Sequence, residues 1–461
     1  MQNIRKLYTR ELLSFFWTFK SDRLKGIEIL ASYGDVVEFG FPGQRYYMVN
    51  DPELVGHILT RTNGIDYDKG SDWRVEVAKQ MFGDGLLTSI GDEWLQQRRL
   101  SSRTFHHTYI ANLASKFTSN TEEMLMGWEG NYESGEPLDI VHEMKYLALD
   151  NIAEFLFGSR MGPHDIESII KASDTASSEL GSYLCSPFSF LPFPVPTPGY
   201  MKFKSAVREL DRIVEGIIHE KSQGVPVEDG SLLSILREAC DEETNVGKNQ
   251  IHDQVKNALI AGYGSSALVL IMTLYQISQN PEVYSSLMSE LNHQLGGRNP
   301  TASDYGNLQY TRNTINECMR KDPPGWLIMR VALKDDNVNG YHIPKGTNLI
   351  LSPYVMHHNA KYWKNPEEIN PDHFNPDSPD FFMPNTSQKR SQFAYFPFGG
   401  GSHICIGKPF FEWESAMVIP TIEQKYKLDL IPGQEIILKP FLILEPKGQT
   451  LMIPRTPYVS S

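Results

Sequence analysis

The sequence predicts a mainly α-helical protein with a smaller β lobe. Three observations carry this reading. From Asn257 to Pro281 no residue is charged across 25 positions, the mark of a long buried helix. Residues 110–240 are mainly helical in pattern, and Ala148 to Phe157 carries apolar residues at helical spacing. Strand-like runs gather in three places, about 34–60, 327–352 and 427–455, each punctuated by glycine or proline.

The chain of 461 residues is long enough for two or three ordinary domains, or for one large enzyme. A hydrophobic fraction of 40% supports a sizeable core. Acidic residues exceed basic ones, 56 to 43, for a net charge of −13. This argues against the basic surface that nucleic-acid binding needs. Cys185, Cys240, Cys318 and Cys405 are widely spaced, as expected of reduced thiols in a cytoplasmic protein rather than a disulfide framework.

The apolar run Leu12 to Phe19 is bounded by Glu11 and Lys20. It is too short to span a membrane and reads as an amphipathic helix, packed on the core or solvated. Gly34–Gly40 and Gln44–Asn50 read as strands about a Phe-Pro-Gly turn. Asp51-Pro52 opens a helix, with aspartate as N-cap. Residues 66–92 are expected to be mostly loop, and a helix begins near Glu93 with Trp94 and Arg98 on one face. Five prolines between Pro187 and Gly199 forbid a continuous helix there. Asp241-Glu-Glu-Thr reads as a short solvated acidic turn.

The uncharged stretch at 257–281 is long enough to cross a bilayer. Gly262, Gly264, Ser265 and Ser266 make it a poor lipid-facing segment, so a central core helix is expected. Each glycine inside it costs on the order of 1 kcal/mol against alanine. That is consistent with close helix packing or with a notch that admits a ligand. After it, Glu317 and Arg320 share a helix face, the helix stops before Pro323-Pro324, and Asn339-Gly340 marks a hairpin. The doublets His106-His107 and His357-His358 have no further ligand cluster and read as ordinary.

The most informative stretch is Phe396-Pro-Phe-Gly-Gly-Gly-Ser-His-Ile-Cys-Ile-Gly407. Consecutive glycines allow positive φ and close backbone approach. Cys405, among apolar neighbours and just ahead of a helix opened by Pro409, is either buried and inert or a thiolate held by a metal. This stretch resembles the heme-binding loop of the cytochrome P450 family, F-x-x-G-x-R-x-C-x-G. Phe398, Gly401, His403, Cys405 and Gly407 fill its places, with histidine where arginine is usual.

Further matches follow in the family's order. Trp94 and Arg98 fit W-x-x-x-R, and Ala261-Gly-Tyr-Gly-Ser265 aligns with A-G-x-D/E-T. Glu317-Cys-Met-Arg320 fits E-x-x-R, and Pro371-Asp-His-Phe374 stands at P-E-R-F. The resemblance implies one P450 domain over 1–461 holding heme b (iron protoporphyrin IX). Cys405 would be the axial ligand, with Trp94, Arg98 and Arg330 on the propionates. It places Gly262, Gly264, Ser265 and Ser266 at the oxygen notch and Tyr263, Trp326, Phe441 and Leu442 at the substrate. It gives Glu317, Arg320 and His373 a structural role. Residues 66–92 would be a lid, and the proline stretch would join two roof helices.

Two departures matter. Histidine at 373 and 403 weakens positive charge at neutral pH and blurs the local pairing. Gly264 replaces the acid that, with an alcohol, relays protons in the family; Ser265 still offers a hydroxyl. The expected activity is monooxygenation of a small apolar substrate such as a fatty acid or terpenoid. Electrons would come from a separate ferredoxin or flavodoxin and its NAD(P)H reductase, docked on Arg99, Arg103 and Lys408. Alternatives are a peroxygenase, cyclase or isomerase without net oxygen insertion, and a heme-based sensor. The family's soluble, bacterial-type members are the nearest pattern, so a cytoplasmic monomer is expected.

Overall fold

The computed structural model describes residues 4–41, 44–70, 73–184, 186, 195–222, 230–241 and 248–457. The helix Lys248–Gln279 runs 32 residues through its middle, ~48 Å at 1.5 Å per residue. Leu259, Ala267, Leu270, Ile271 and Leu274 on it have no exposure at all. Its apolar length therefore reflects burial in protein, and it is the core helix expected from the sequence. The helices Ile140–Phe157, Ala114–Gly127 and Lys408–Lys425 pack around it in one core. Asp139 caps the first of these by accepting from the Val141 N–H at 3.2 Å, and Gly158 ends it at φ +67°.

The β lobe is a six-stranded sheet in the order Arg5–Lys6, Val36–Phe41, Gln44–Val49, Asn348–Leu351, Ile328–Ala332, Tyr67–Asp68. Val36 pairs antiparallel with Val49, and Tyr46 parallel with Asn348. Asp51 caps the helix Pro52–Thr60 through the Leu54 N–H at 2.8 Å. That helix packs into a second core with the sheet. Asn339 and Gly340, at φ +49° and +81°, turn the hairpin Asp336–Ile343. A three-stranded sheet joins Lys427–Leu430, Leu451–Arg455 and Leu138–Asp139.

Some expectations change. Residues 66–92 are not mostly loop: Trp73–Phe82 is a helix, because Val77, Met81 and Phe82 bury into the main core. The proline stretch falls largely on residues 187–194, outside the described residues, and so does most of the acidic turn. Thr9–Ser21 is amphipathic as expected, with Phe15 buried and Trp17 exposed.

His373 does not blur the pairing around Glu317. Both Glu317 oxygens lie 3.1 Å from His373 Nδ1, while Arg320 donates to the same carboxylate at 2.9 and 2.8 Å. His373 Nε2 is 3.0 Å from the Lys364 carbonyl, so both ring nitrogens face oxygen atoms. All three side chains are fully buried, which is why the pairing is tight.

Candidate active site

The Cys405 loop is held by backbone. Gly399 and Gly401 take φ of +71° and +66°. A Cβ on Gly401 would stand 2.2 Å from the Leu59 carbonyl oxygen, so the loop lies directly on the end of the helix Pro52–Thr60. The Cys405 N–H donates to the Phe398 carbonyl at 2.9 Å. Behind the loop, the Phe396 N–H donates to His357 Nε2 at 3.0 Å, and Arg320 donates to the His357 carbonyl at 2.8 Å. His357 is therefore not an ordinary histidine. It is fully buried, and burial followed by Arg320 holds its pKa well below the usual value.

In front of the loop lies a cavity of about 600 Å³. Phe398, Cys405 and Gly407 line one wall; Gly262, Gly264 and Ser265 line the other. Cys405 is exposed into this cavity, with protein on every other side. That enclosure pushes its thiol pKa up, partly offset by the Gly407 N–H, Arg98 and the Lys408 N–H.

At one end of the cavity three cations converge. Arg330 donates to Thr62 Oγ1 at 3.1 Å, and burial draws its pKa down to about 10. Burial also lowers the pKa of Arg98. The third, Lys69, carried no signal in the sequence. Its Nζ lies 5.8 Å over the Trp94 ring and donates to the Leu86 and Ser89 carbonyls at 2.9 and 3.1 Å. Burial, then Arg330, draws its pKa to about 7. Among the described residues none of the three forms a salt bridge. His403 stacks on Trp94, ring centres 3.7 Å apart at 12°. Burial, then Lys69, Arg330 and Arg98, pushes its pKa down to about 3, so it adds no fourth charge. Its Nδ1 is buried without a partner.

Three buried or half-buried cations without a salt-bridge partner among the described residues, beside an orphaned ring nitrogen and an inward-facing sulfur, are costly unless an anionic, metal-bearing ligand satisfies them. Iron protoporphyrin carries both carboxylates and a metal, so this donor set fits heme.

On the opposite wall, a Cβ on Gly262 would meet Ile152 Cδ1 at 2.9 Å, so that glycine serves close helix packing. Gly264 has Ile443 Cδ1 at 3.4 Å from the same position and leaves the notch open. The Ser265 hydroxyl donates back to the Ala261 carbonyl at 2.8 Å. Ser266 is buried and turned toward Glu414 of the helix Lys408–Lys425. Glu414 accepts from Asn151 Nδ2 at 3.0 Å, and its Oε2 has no hydrogen-bond partner. Burial pushes its carboxyl up to about 7, restrained by Asn151 and Ser266. An acid among Phe410, Phe411 and Val418 at helical spacing was the signal for it.

Two expected pocket residues lie elsewhere. Trp326 donates from Nε1 to the Phe441 carbonyl at 3.0 Å and is buried against Leu268 and Leu444. The Phe441 ring faces Arg23. They brace the hairpin tip because the indole N–H needs a partner, while Leu442, also expected at the pocket, and its neighbour Ile443 line the cavity. Tyr263 does line it. Gly401 is not among the residues lining the cavity; it packs on the Leu59 carbonyl instead. Arg99 and Arg103 are exposed, and Lys408 is 3.7 Å from Glu412.

The family model described as Cytochrome P450 matches residues 15–454. Cyclooctatin synthase of Streptomyces melanosporofaciens is 30% identical over 435 residues, covering 93% of this chain and 91% of that protein. Cyclooctat-9-en-7-ol 5-monooxygenase of the same organism is 30% identical, covering 89% and 86%. Pentalenene oxygenase of Streptomyces avermitilis is 25% identical, covering 91% and 90%. With a thiol, a rim of cations and a notched helix around one cavity, and a match along almost its whole length, this chain belongs to the cytochrome P450 family of heme-thiolate monooxygenases.

Proposed function

We propose that this monooxygenase hydroxylates a polycyclic terpenoid. The observation that carries the reading is the apolar lining on the notch side of the cavity, Leu268, Val269, Leu442 and Ile443 beside Gly264, which is left to the substrate when heme fills the Cys405 side. Support also comes from relatives whose names contain cyclooctat-9-en-7-ol and pentalenene. Cys405 would hold the iron of heme b, and Arg98, Arg330, Lys69, Trp94 and His403 its carboxylate edge. The bound group supplies dioxygen activation.

The chain's own residues orient the substrate and manage protons. Leu442 and Ile443 press the skeleton toward the notch. Ser265 holds a hydroxyl proton against the Ala261 carbonyl. Glu414, poised near neutrality behind Ser266, is a proton store that compensates for Gly264. Electrons come from a ferredoxin or flavodoxin docked near Arg99, Arg103 and Lys408. We read the chain as a single-domain cytoplasmic monomer.

The missing acid favours a second reading, in which peroxide replaces the partner or the substrate is rearranged without net oxygen insertion. Turnover assays separate the two. The first reading expects product only with NAD(P)H, O₂ and a redox partner, together with a thiolate-type ferrous–CO band that Cys405→Ser abolishes. Product formed without O₂ and reductant would establish the second.

A further inference from the structure

Beyond Tyr263, the cavity extends between the helices Ile140–Phe157 and Pro163–Leu184 and the hairpin Leu438–Pro446. The lining changes character there. Lys145, Asp174, Ser177 and Glu445 all face the cavity, which is otherwise apolar around the notch. Each is half-buried, and each comes from a chain segment remote from the Cys405 loop.

These groups are only partly satisfied by one another. Lys145 Nζ donates to Asp174 Oδ2 at 2.6 Å, its one protein hydrogen bond among the described residues, though an ammonium has three protons to donate. Tyr263 OH approaches Asp174 Oδ1 at 3.4 Å. Ser177 donates to Glu445 Oε1, while Glu445 Oε2 accepts nothing from the described protein. Burial raises the Glu445 carboxyl to about 7, with Asp174 raising it and Ser177 and Lys145 lowering it.

A ligand group here meets a free donor on Lys145 and the open Oε2 of Glu445, which accepts when ionised and donates when protonated. A carboxylate would be repelled by Asp174 and Glu445, and an ammonium has no lone pair to accept from the free Lys145 protons. A hydrocarbon would strip water from polar groups and return nothing, a loss for each group left unpaired. A neutral hydroxyl is both donor and acceptor and matches both groups.

We propose that the polar arm formed by Lys145, Asp174, Ser177 and Glu445 binds a hydroxyl already present on the substrate. The enzyme then oxidises a terpenoid alcohol rather than a bare hydrocarbon, and a reaction that installs a hydroxyl precedes it. This rests on the terpenoid reading above.

The test is optical titration of the heme-loaded enzyme with matched probes: bornane with borneol, and cedrane with cedrol. The alcohols should bind about 10-fold to 100-fold more tightly than their hydrocarbons, the range for a hydrogen bond to a charged group. Lys145→Met and Glu445→Leu should each collapse that preference, and Glu445→Gln, which keeps an acceptor, should restore part of it. An unchanged ferrous–CO band in the variants shows that they are folded. Equal binding of alcohol and hydrocarbon by the unsubstituted enzyme overturns the hydroxyl arm alone, as does a preference that survives both substitutions. If no probe of either kind binds while the CO band forms, the terpenoid reading falls and takes this proposal with it.

Discussion

The loop from Phe396 to Gly407 is fixed by contacts to its backbone at Phe396, Gly401 and Cys405, whereas the central helix opposite presents Gly264 with little beside it. Gly401 sits against the Leu59 carbonyl, and the Phe396 N–H is fixed by His357, itself gripped by Arg320. Across the cavity, Gly264 has only the flexible tip of Ile443 nearby, and the Ser265 hydroxyl is bonded to its own helix. The difference has a chemical basis. A metal ligand must be placed within a few tenths of an ångström, which demands a rigid frame. A substrate wall must admit varied shapes, and side-chain changes there cost little.

This contrast can be broken at three points. The largest effect is expected from Gly401→Ala. Positive φ and a Cβ jammed against backbone should cost roughly 3 kcal/mol. Urea unfolding would register the loss, and heme content should fall with it; a variant as stable as the parent would mean that the loop is not so constrained.

The next concerns His357. Its folded pKa lies well below the ordinary 6.5, so below about pH 6.5 the unfolded chain binds a proton that the folded chain refuses. Stability is full above that pH and falls as pH drops, at about 1.4 kcal/mol per unit from this group. His357→Gln should remove that share of the slope between pH 6.5 and 5. Equal slopes in variant and parent would remove His357 from the frame of the loop.

The smallest effect, and of opposite sign, is expected from Gly264→Ala. Alanine is the better helix former by up to about 1 kcal/mol, and the new Cβ meets only Ile443 Cδ1 at 3.4 Å. Thermal melting should show a small gain. A loss as large as that of Gly401→Ala would erase the distinction between the two walls.

Much of the thiolate wall was legible in the sequence, because its devices are local: three consecutive glycines, a cysteine and a proline-opened helix. The notch was legible for the same reason. The cation cluster was legible only in part. Trp94 and Arg98 share a helix turn, but Lys69 joins them from a separate loop. Trp326 and Phe441 were misplaced because the pairing of an indole N–H with a carbonyl 115 positions away decides which way the hairpin tip turns.

The sequence by itself determined the central helix, the capped helix starts, the Asn339-Gly340 turn and the Cys405 loop. Each rests on backbone preference or on apolar spacing within about 25 residues. Only the tertiary structure decided that Trp73–Phe82 is helical and that His357 is buried and holds the loop. It alone brought Glu414 behind the notch and gathered Lys145, Asp174 and Glu445 on one arm of the cavity. A charged side chain reads the same in sequence whether it meets water or a cavity. What it does there depends on desolvation and on partners that arrive from distant parts of the chain.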